Sequence, residues 1–198
     1  EEEARERTGG RLPHFIPRSD DTPEARETNR AEGEAILRTL QQEVGPHRLI
    51  GEDLGVVPEY VRPSLAALGI AGFKIPQWER TPEGRFTPGG DYPRLSVATY
   101  ATHDHPPLAA LWRGMAEAAG AGDGHQRWEL EQLAAYAGLS LPGPAPYTPE
   151  IQEKLLEALF SGNAWLAIVM VTDLFGSEKR FNLPGAVAAT NWSERRAI

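Results

Sequence analysis

The sequence predicts an α/β fold built on parallel strands, and three observations carry that prediction. Four short apolar segments, RLIGED, IAGFKIP, LSVATYATHD and AWLAIVMVTDLFG, alternate with stretches of helical periodicity. Their apolar residues suit strands buried on both faces, as in a βαβ series. The intervening helices imply right-handed crossovers that wind the strands in one direction. Two architectures meet these conditions, an open doubly wound sheet and a (β/α)8 barrel. No glycine-rich phosphate loop follows any of the strands, which counts against dinucleotide binding. Four units cannot close a barrel, which takes eight strands and about 250 residues.

The elements can be justified in order. The chain opens at Glu1 rather than Met, and EEEARER reads as the middle of a helix, so the sequence is expected to be a piece of a longer protein. GGRLPHFIPRSDDTP is rich in Gly, Pro and Asp and reads as a loop. Thr22-Pro23 then supplies an N-cap and a first helical residue, Ile36, Leu37, Leu40 and Val44 recur at helical spacing, and Gly45-Pro46 ends the helix. After the strand RLIGED, VPEYVRPSLAALG reads as a short helix, and IAGFKIP as the second strand, stopped by Pro76. A polar loop, QWERTPEGRFTPGGDYP, leads to the third strand, LSVATYATHD, and to a helix opening on proline, PPLAALWRGMAEAA. Residues 119–147 read as an insertion with one helix, WELEQLAAYAG. Thr148-Pro149-Glu150 starts another helix, which Gly162 closes, and WLAIVMV forms the heart of the fourth strand. The tail after it is loop-like.

Composition narrows the function. With 198 residues, 40% hydrophobic and 24% charged, the chain has the makings of a soluble domain with a real core. A net charge of −8 disfavours nucleic acid or an anionic membrane as partner. The absence of cysteine excludes disulfides, thiolate nucleophiles and cysteine metal sites, and fits a cytoplasmic location. No apolar run approaches the roughly 20 residues of a membrane span, and no secretory signal is visible.

Chemistry concentrates at the strand ends. Glu52-Asp53, His103-Asp104 and Asp173 each lie at the carboxyl end of an expected strand, the rim on which both α/β architectures bind ligands. An isolated Asp there could simply cap the following helix; acids on three successive strands favour a site. Paired carboxylates suit glycoside chemistry, in which one must donate a proton to the leaving oxygen and another must stay ionised beside a developing oxocarbenium ion. Trp78, Tyr92, Tyr100, Trp112 and Trp192 lie in or beside the rim loops, where aromatic rings could pack on sugar faces; Tyr100 and Trp112 are better read as core packing. The rival reading is a metal-dependent hydrolase using the pair His103 and His105, but His14, His47 and His125 supply weak further ligands.

The stretches LIGEDLGVVPEYVRPSLAALGIAGFKIPQWE, YPRLSVATYATHDHPPLAALW and DLFGSEKRFNLPGAVAATNWSERR resemble the C-terminal third of the 4-α-glucanotransferase family, the amylomaltases or disproportionating enzymes. They cover most of residues 48–113 and 165–196, while 1–47 and 119–160 match loosely. The long QWER to THDH form is most similar to the branch that includes the plant cytosolic enzyme acting on maltose and glycogen-like glucans. The resemblance implies an α-amylase-like (β/α)8 TIM barrel of which this chain carries only the second half, strands five to eight. It implies Glu52 as general acid/base, Asp104 as the carboxylate that stabilises the transition state, and His103 as a hydrogen-bonding partner of the glucose at the cleavage point. Asp173, Asn182 and Trp192 would lie in the loops lining the glucan groove, with Trp78 among the sugar-facing aromatics. The family's nucleophile, an aspartate in an Arg-x-Asp motif on strand four, has no counterpart; Arg18-Ser19-Asp20 has the spacing without a strand before it and is read as coincidence. The implied reaction is retaining transfer of α-1,4-glucan segments between maltooligosaccharides, as in starch metabolism, and needs no metal or cofactor. This chain alone is expected to be inactive, and to need the N-terminal half of the barrel or a homodimer partner. A non-catalytic barrel fragment is the alternative.

Overall fold

The computed structural model describes residues 19–45, 48–185, 187, 189 and 191–193. Helix α1 (Pro23–Val44) begins at the expected cap: the Thr22 hydroxyl accepts from the Ala25 amide at 3.1 Å, proline takes the first turn, and Gly45, at φ 91°, closes the helix. Of its apolar row only Leu37 packs inward, against Leu65, Leu68 and Ile70; Ile36, Leu40 and Val44 are exposed.

Strands β1 (Ile50–Gly51), β2 (Ala71–Lys74), β3 (Ser96–Ala98) and β4 (Leu166–Ala167) form one parallel sheet in the order β1-β2-β3-β4. Ile50 pairs with Ala71, Gly72 with Ser96 and Val97 with Leu166. The order follows the chain without reversal, so these strands contain no switch point of the doubly wound kind. Helix α2 (Val61–Ala67) joins β1 to β2, while α3 (Leu108–Gly120), α4 (Gly124–Tyr136) and α5 (Pro149–Phe160) lie between β3 and β4. A short helix α6 (Val171–Leu174) follows β4.

Two expectations are corrected. The fourth apolar run is not one long strand: it pairs at Leu166–Ala167, donates once more from the Ile168 amide to the Ala98 carbonyl at 2.9 Å, then turns into α6. A continuous apolar run has no period to mark where pairing stops, and here it stops where β3 stops. Nor is the run buried on both faces, since Trp165, Ile168 and Val171 are exposed. The segment 119–147 contributes to the main core. Asp123 caps α4 by accepting from the His125 and Gln126 amides, and Leu130, Leu133 and Ala134 pack with Trp112 and Met115 of α3 and Leu155 and Leu159 of α5 in the main core. Each such buried Leu or Met side chain stabilises the fold by roughly 1.5–3 kcal/mol. Tyr100 is fixed in that core by donating to the Leu155 carbonyl at 2.6 Å.

Candidate active site

β1 and β3 run in the same direction with β2 between them, so their carboxyl ends open onto one rim, about 10 Å apart at the backbone. Glu52 immediately follows β1, is exposed, and makes no hydrogen bond to a described residue. Its neighbour Asp53 is folded inward and only 5% exposed. Asp53 Oδ1 accepts from the Phe73 amide of β2 at 2.6 Å, and Oδ2 accepts from Arg62 Nε of α2 at 3.1 Å. The two adjacent acids therefore divide the work, one fastening the turn and one facing solvent.

Beyond β3 the chain makes a tight turn, in which the His105 amide donates to the Thr102 carbonyl at 3.0 Å. It presents His103 and Asp104, whose side chains are 51% and 45% exposed. Asp104 Oδ1 accepts from Asn182 Nδ2 at 2.6 Å and lies 3.4 Å from His103 Nε2. Arg180 Nη2 donates to the Asp104 carbonyl at 2.7 Å, and Arg180 Nε to the Asn182 carbonyl at 3.2 Å. The rings of His103 and Trp192 stand 5.1 Å apart, and those of His105 and Trp78 meet edge-on at 4.8 Å. Trp192 has φ 61°, a backbone region that costs a bulky residue of order 1–3 kcal/mol and marks a constrained position.

His105 ties the rim together. Burial lowers its pKa from 6.5, the charges of Asp104 and Glu52 pull it back up, and Arg180 and His103 push it further down. Those charged groups follow β1, lie in the turn after β3 and follow α6 along the chain. Of the seven residues expected at the site, Asp104, His103, Trp78, Asn182 and Trp192 make contacts in or beside the turn after β3, and Glu52 follows β1 at the same end of the sheet.

Asp173 stands apart from these contacts. It is 1% exposed, and its Oδ1 accepts from the Leu108 amide at 2.6 Å, at the start of α3. Burial raises its pKa from 3.8 to about 6. It anchors the helix that follows the His103–Asp104 turn. The aromatic set also divides: Tyr92, Tyr100 and Trp112 are buried in the core, while Trp78 and Trp192 are exposed on the rim. Asp20 accepts from Asn29 Nδ2 and Tyr60 Oη, and Arg18 lies outside the described residues, as do His14 and His47. His103 Nε2 lies 3.4 Å from Asp104 Oδ1 and its ring 5.1 Å from that of Trp192, while His105 Nδ1 lies 3.0 Å from Thr102 Oγ1; the described residues hold no group of three or more metal-binding side chains. No described helix is long and apolar enough to cross a membrane.

Sequence reasoning missed Arg180 and Arg62. Arg180 stands two residues before Asn182 and could have been singled out with it; nothing local marks Arg62, whose role depends on where α2 docks. A separate groove of about 950 Å³, lined by Phe86, Gln132, Tyr136, Lys154 and Glu157 among others, lies on the helical side and shares no lining residue with the rim.

A family model described as 4-alpha-glucanotransferase matches residues 13–198. The chain belongs to the 4-alpha-glucanotransferase family. The match takes in residues 119–160, where the sequence motifs agreed only loosely. Two similar relatives, both called 4-alpha-glucanotransferase, come from Chlamydia caviae and Chlamydia pneumoniae. The first is 33% identical over 162 residues, covering 74% of this chain and 27% of that protein; the second is 33% identical over 158 residues, covering 74% and 28%. Among solved structures, an amylomaltase from Streptococcus agalactiae in complex with acarbose aligns with TM-score 0.62 and 24% identity, covering 83% of this chain and 31% of that one. At that identity the likeness speaks for the fold alone. The chain spans between about a quarter and a third of the length of these relatives.

Proposed function

We infer that this chain supplies the second half of a (β/α)8 barrel, strands five to eight, to an enzyme that transfers α-1,4-glucan segments between maltooligosaccharides with retention of configuration. The observation that carries the reading is the sheet order: β1 and β3 run parallel on either side of β2, so Glu52 and Asp104 follow the same end of one sheet from different strands. The sheet supports the barrel assignment. β1 and β4 each pair on one side only among the described residues, leaving two edges for further strands. In this reading those strands come from polypeptide outside this sequence, one of them carrying the nucleophilic aspartate; a partner copy could cover the edges but has no such aspartate to supply.

In the reaction, the nucleophile attacks the anomeric carbon of the donor glucan while Glu52 gives its proton to the departing glycosidic oxygen. Glu52 then takes the proton from the incoming sugar hydroxyl, and the glycosyl–enzyme bond breaks as the new glycosidic bond forms. Asp104, fixed by Asn182 and flanked by His103, provides negative charge beside the oxocarbenium-like centre. Trp78 and Trp192 offer ring faces or edges to the apolar sides of neighbouring glucose units. Maltooligosaccharides serve as both donor and acceptor in this chemistry.

Glu52→Gln in the complete enzyme tests the assignment, with glucose release from maltotriose as the readout. Removing the proton while keeping the shape should lower the rate by roughly three decades or more. Near-normal disproportionation by that variant defeats the reading.

A further inference from the structure

β1 contributes only Ile50 and Gly51 to the sheet, so Glu52 stands just past the last paired residue, with no regular structure of its own to fix its direction. The geometry points to Asp53, acting with Arg62, as the positioning pair that aims Glu52 at the glycosidic oxygen. The inference rests on the acid/base role assigned to Glu52 above.

Three observations converge on it. Both oxygens of the buried Asp53 carboxylate are occupied, one by the Phe73 amide at 2.6 Å and the other by Arg62 at 3.1 Å. The turn carrying Glu52 is thereby fastened to β2 and to α2. Next, the place for this carboxylate exists only because residue 72 is glycine: a Cβ there would lie 2.8 and 2.9 Å from the two Asp53 oxygens. Finally, the fastening continues beyond Asp53. Arg62 Nη2 lies 4.0 Å from Glu79 Oε1, and Lys74 Nζ donates to Glu79 Oε2 at 3.0 Å. Glu79 follows Trp78, the ring that packs on His105. One arginine therefore stands between the neighbour of the acid and the neighbour of the rim aromatic.

A purely structural ion pair would have little kinetic consequence. Arg62 is half-exposed, and a pair with such a partner contributes little to stability. A positioning role has a different signature, because displacing a catalytic group by about 1 Å can cost on the order of 100-fold in rate. It also acts selectively. With maltotriose the bond from the anomeric carbon to oxygen breaks only as Glu52 delivers its proton. With α-maltosyl fluoride the bond to fluorine breaks, fluoride leaves with the bonding pair, and formation of the glycosyl–enzyme needs no proton from the acid.

The test compares kcat/KM for maltotriose and α-maltosyl fluoride in the complete enzyme, for Arg62→Met, Asp53→Ala, Asp53→Asn and the control Glu52→Gln. Arg62→Met and Asp53→Ala should lose roughly 30- to 100-fold on maltotriose and less than about 3-fold on the fluoride. Asp53→Asn, whose amide oxygen can still accept from Phe73, should recover part of the loss. Arg62→Met should unfold thermally within a few degrees of the parent, which keeps the test decisive even where Asp53→Ala fails to fold. If Arg62→Met and Asp53→Asn lose nothing, or lose equally on both substrates while Glu52→Gln is selective, the positioning role is overturned and the acid/base assignment stands. If Glu52→Gln itself is silent or unselective, the acid/base assignment has failed instead.

Discussion

Asp173 offers a direct measurement of how the core tunes an acid. Its carboxyl is 1% exposed, accepts one hydrogen bond from the Leu108 amide, and has a pKa raised by burial from 3.8 to about 6. The folded state therefore holds this proton more tightly than the unfolded state. Stability from this group is fully present below about pH 4, and is lost as the pH rises through about 6. At about 1.36 kcal/mol per pKa unit, the loss comes to about 3 kcal/mol by pH 8. Other carboxylates titrate as well, Glu27, Glu34, Glu83 and Glu150 in the opposite direction, so the informative quantity is a difference between variants. Asp173→Asn keeps an oxygen for the Leu108 amide and removes the titration. Urea unfolding followed by tryptophan fluorescence at pH 4, 5, 6, 7 and 8 should show the Asn variant gaining on the parent as the pH rises. The gain should come mainly between pH 4 and 6 and total about 2–3 kcal/mol across the range. Parallel stability curves, or a variant that loses ground with rising pH, would refute the idea that burial of Asp173 sets its pKa.

Two further perturbations probe the rim. Gly72→Ala brings a Cβ within 2.8 Å of the Asp53 carboxylate, and should destabilise the fold by about 1–3 kcal/mol in chemical denaturation. Combined with Asp53→Ala, the cost should be clearly less than the sum of the two single variants, because the clash disappears with the carboxylate. Asn182→Ala removes the 2.6 Å bond to Asp104 Oδ1 from a loop, and should lower kcat/KM for maltotriose by at least about 10-fold with thermal stability nearly unchanged. An unaltered kcat/KM would show that Asp104 needs no such partner.

The features legible in the sequence were those that neighbours along the chain decide. Thr22-Pro23 and Thr148-Pro149 marked helix starts because a hydroxyl reaches an amide only three residues ahead, and both caps formed. The alternation of apolar runs with helical periods indicated parallel strands, and Glu52 directly after β1, with His103 and Asp104 in the turn beyond β3, follow the same end of the sheet. The tertiary structure alone decided the rest. It ended the fourth strand after two residues because β3 offered no further partner. It chose which of the adjacent acids faces outward, since Asp53 turns inward only where Phe73 and Arg62, 20 and 9 residues away, supply donors. It drew Asp173 into the core toward the amide of Leu108, 65 residues earlier, and brought Arg180 and Asn182 to Asp104 across 76 and 78 residues. Spacing along a chain records which groups can share a strand or a helical face. Which distant donor satisfies a buried carboxylate depends on how those faces pack, and that no local pattern encodes.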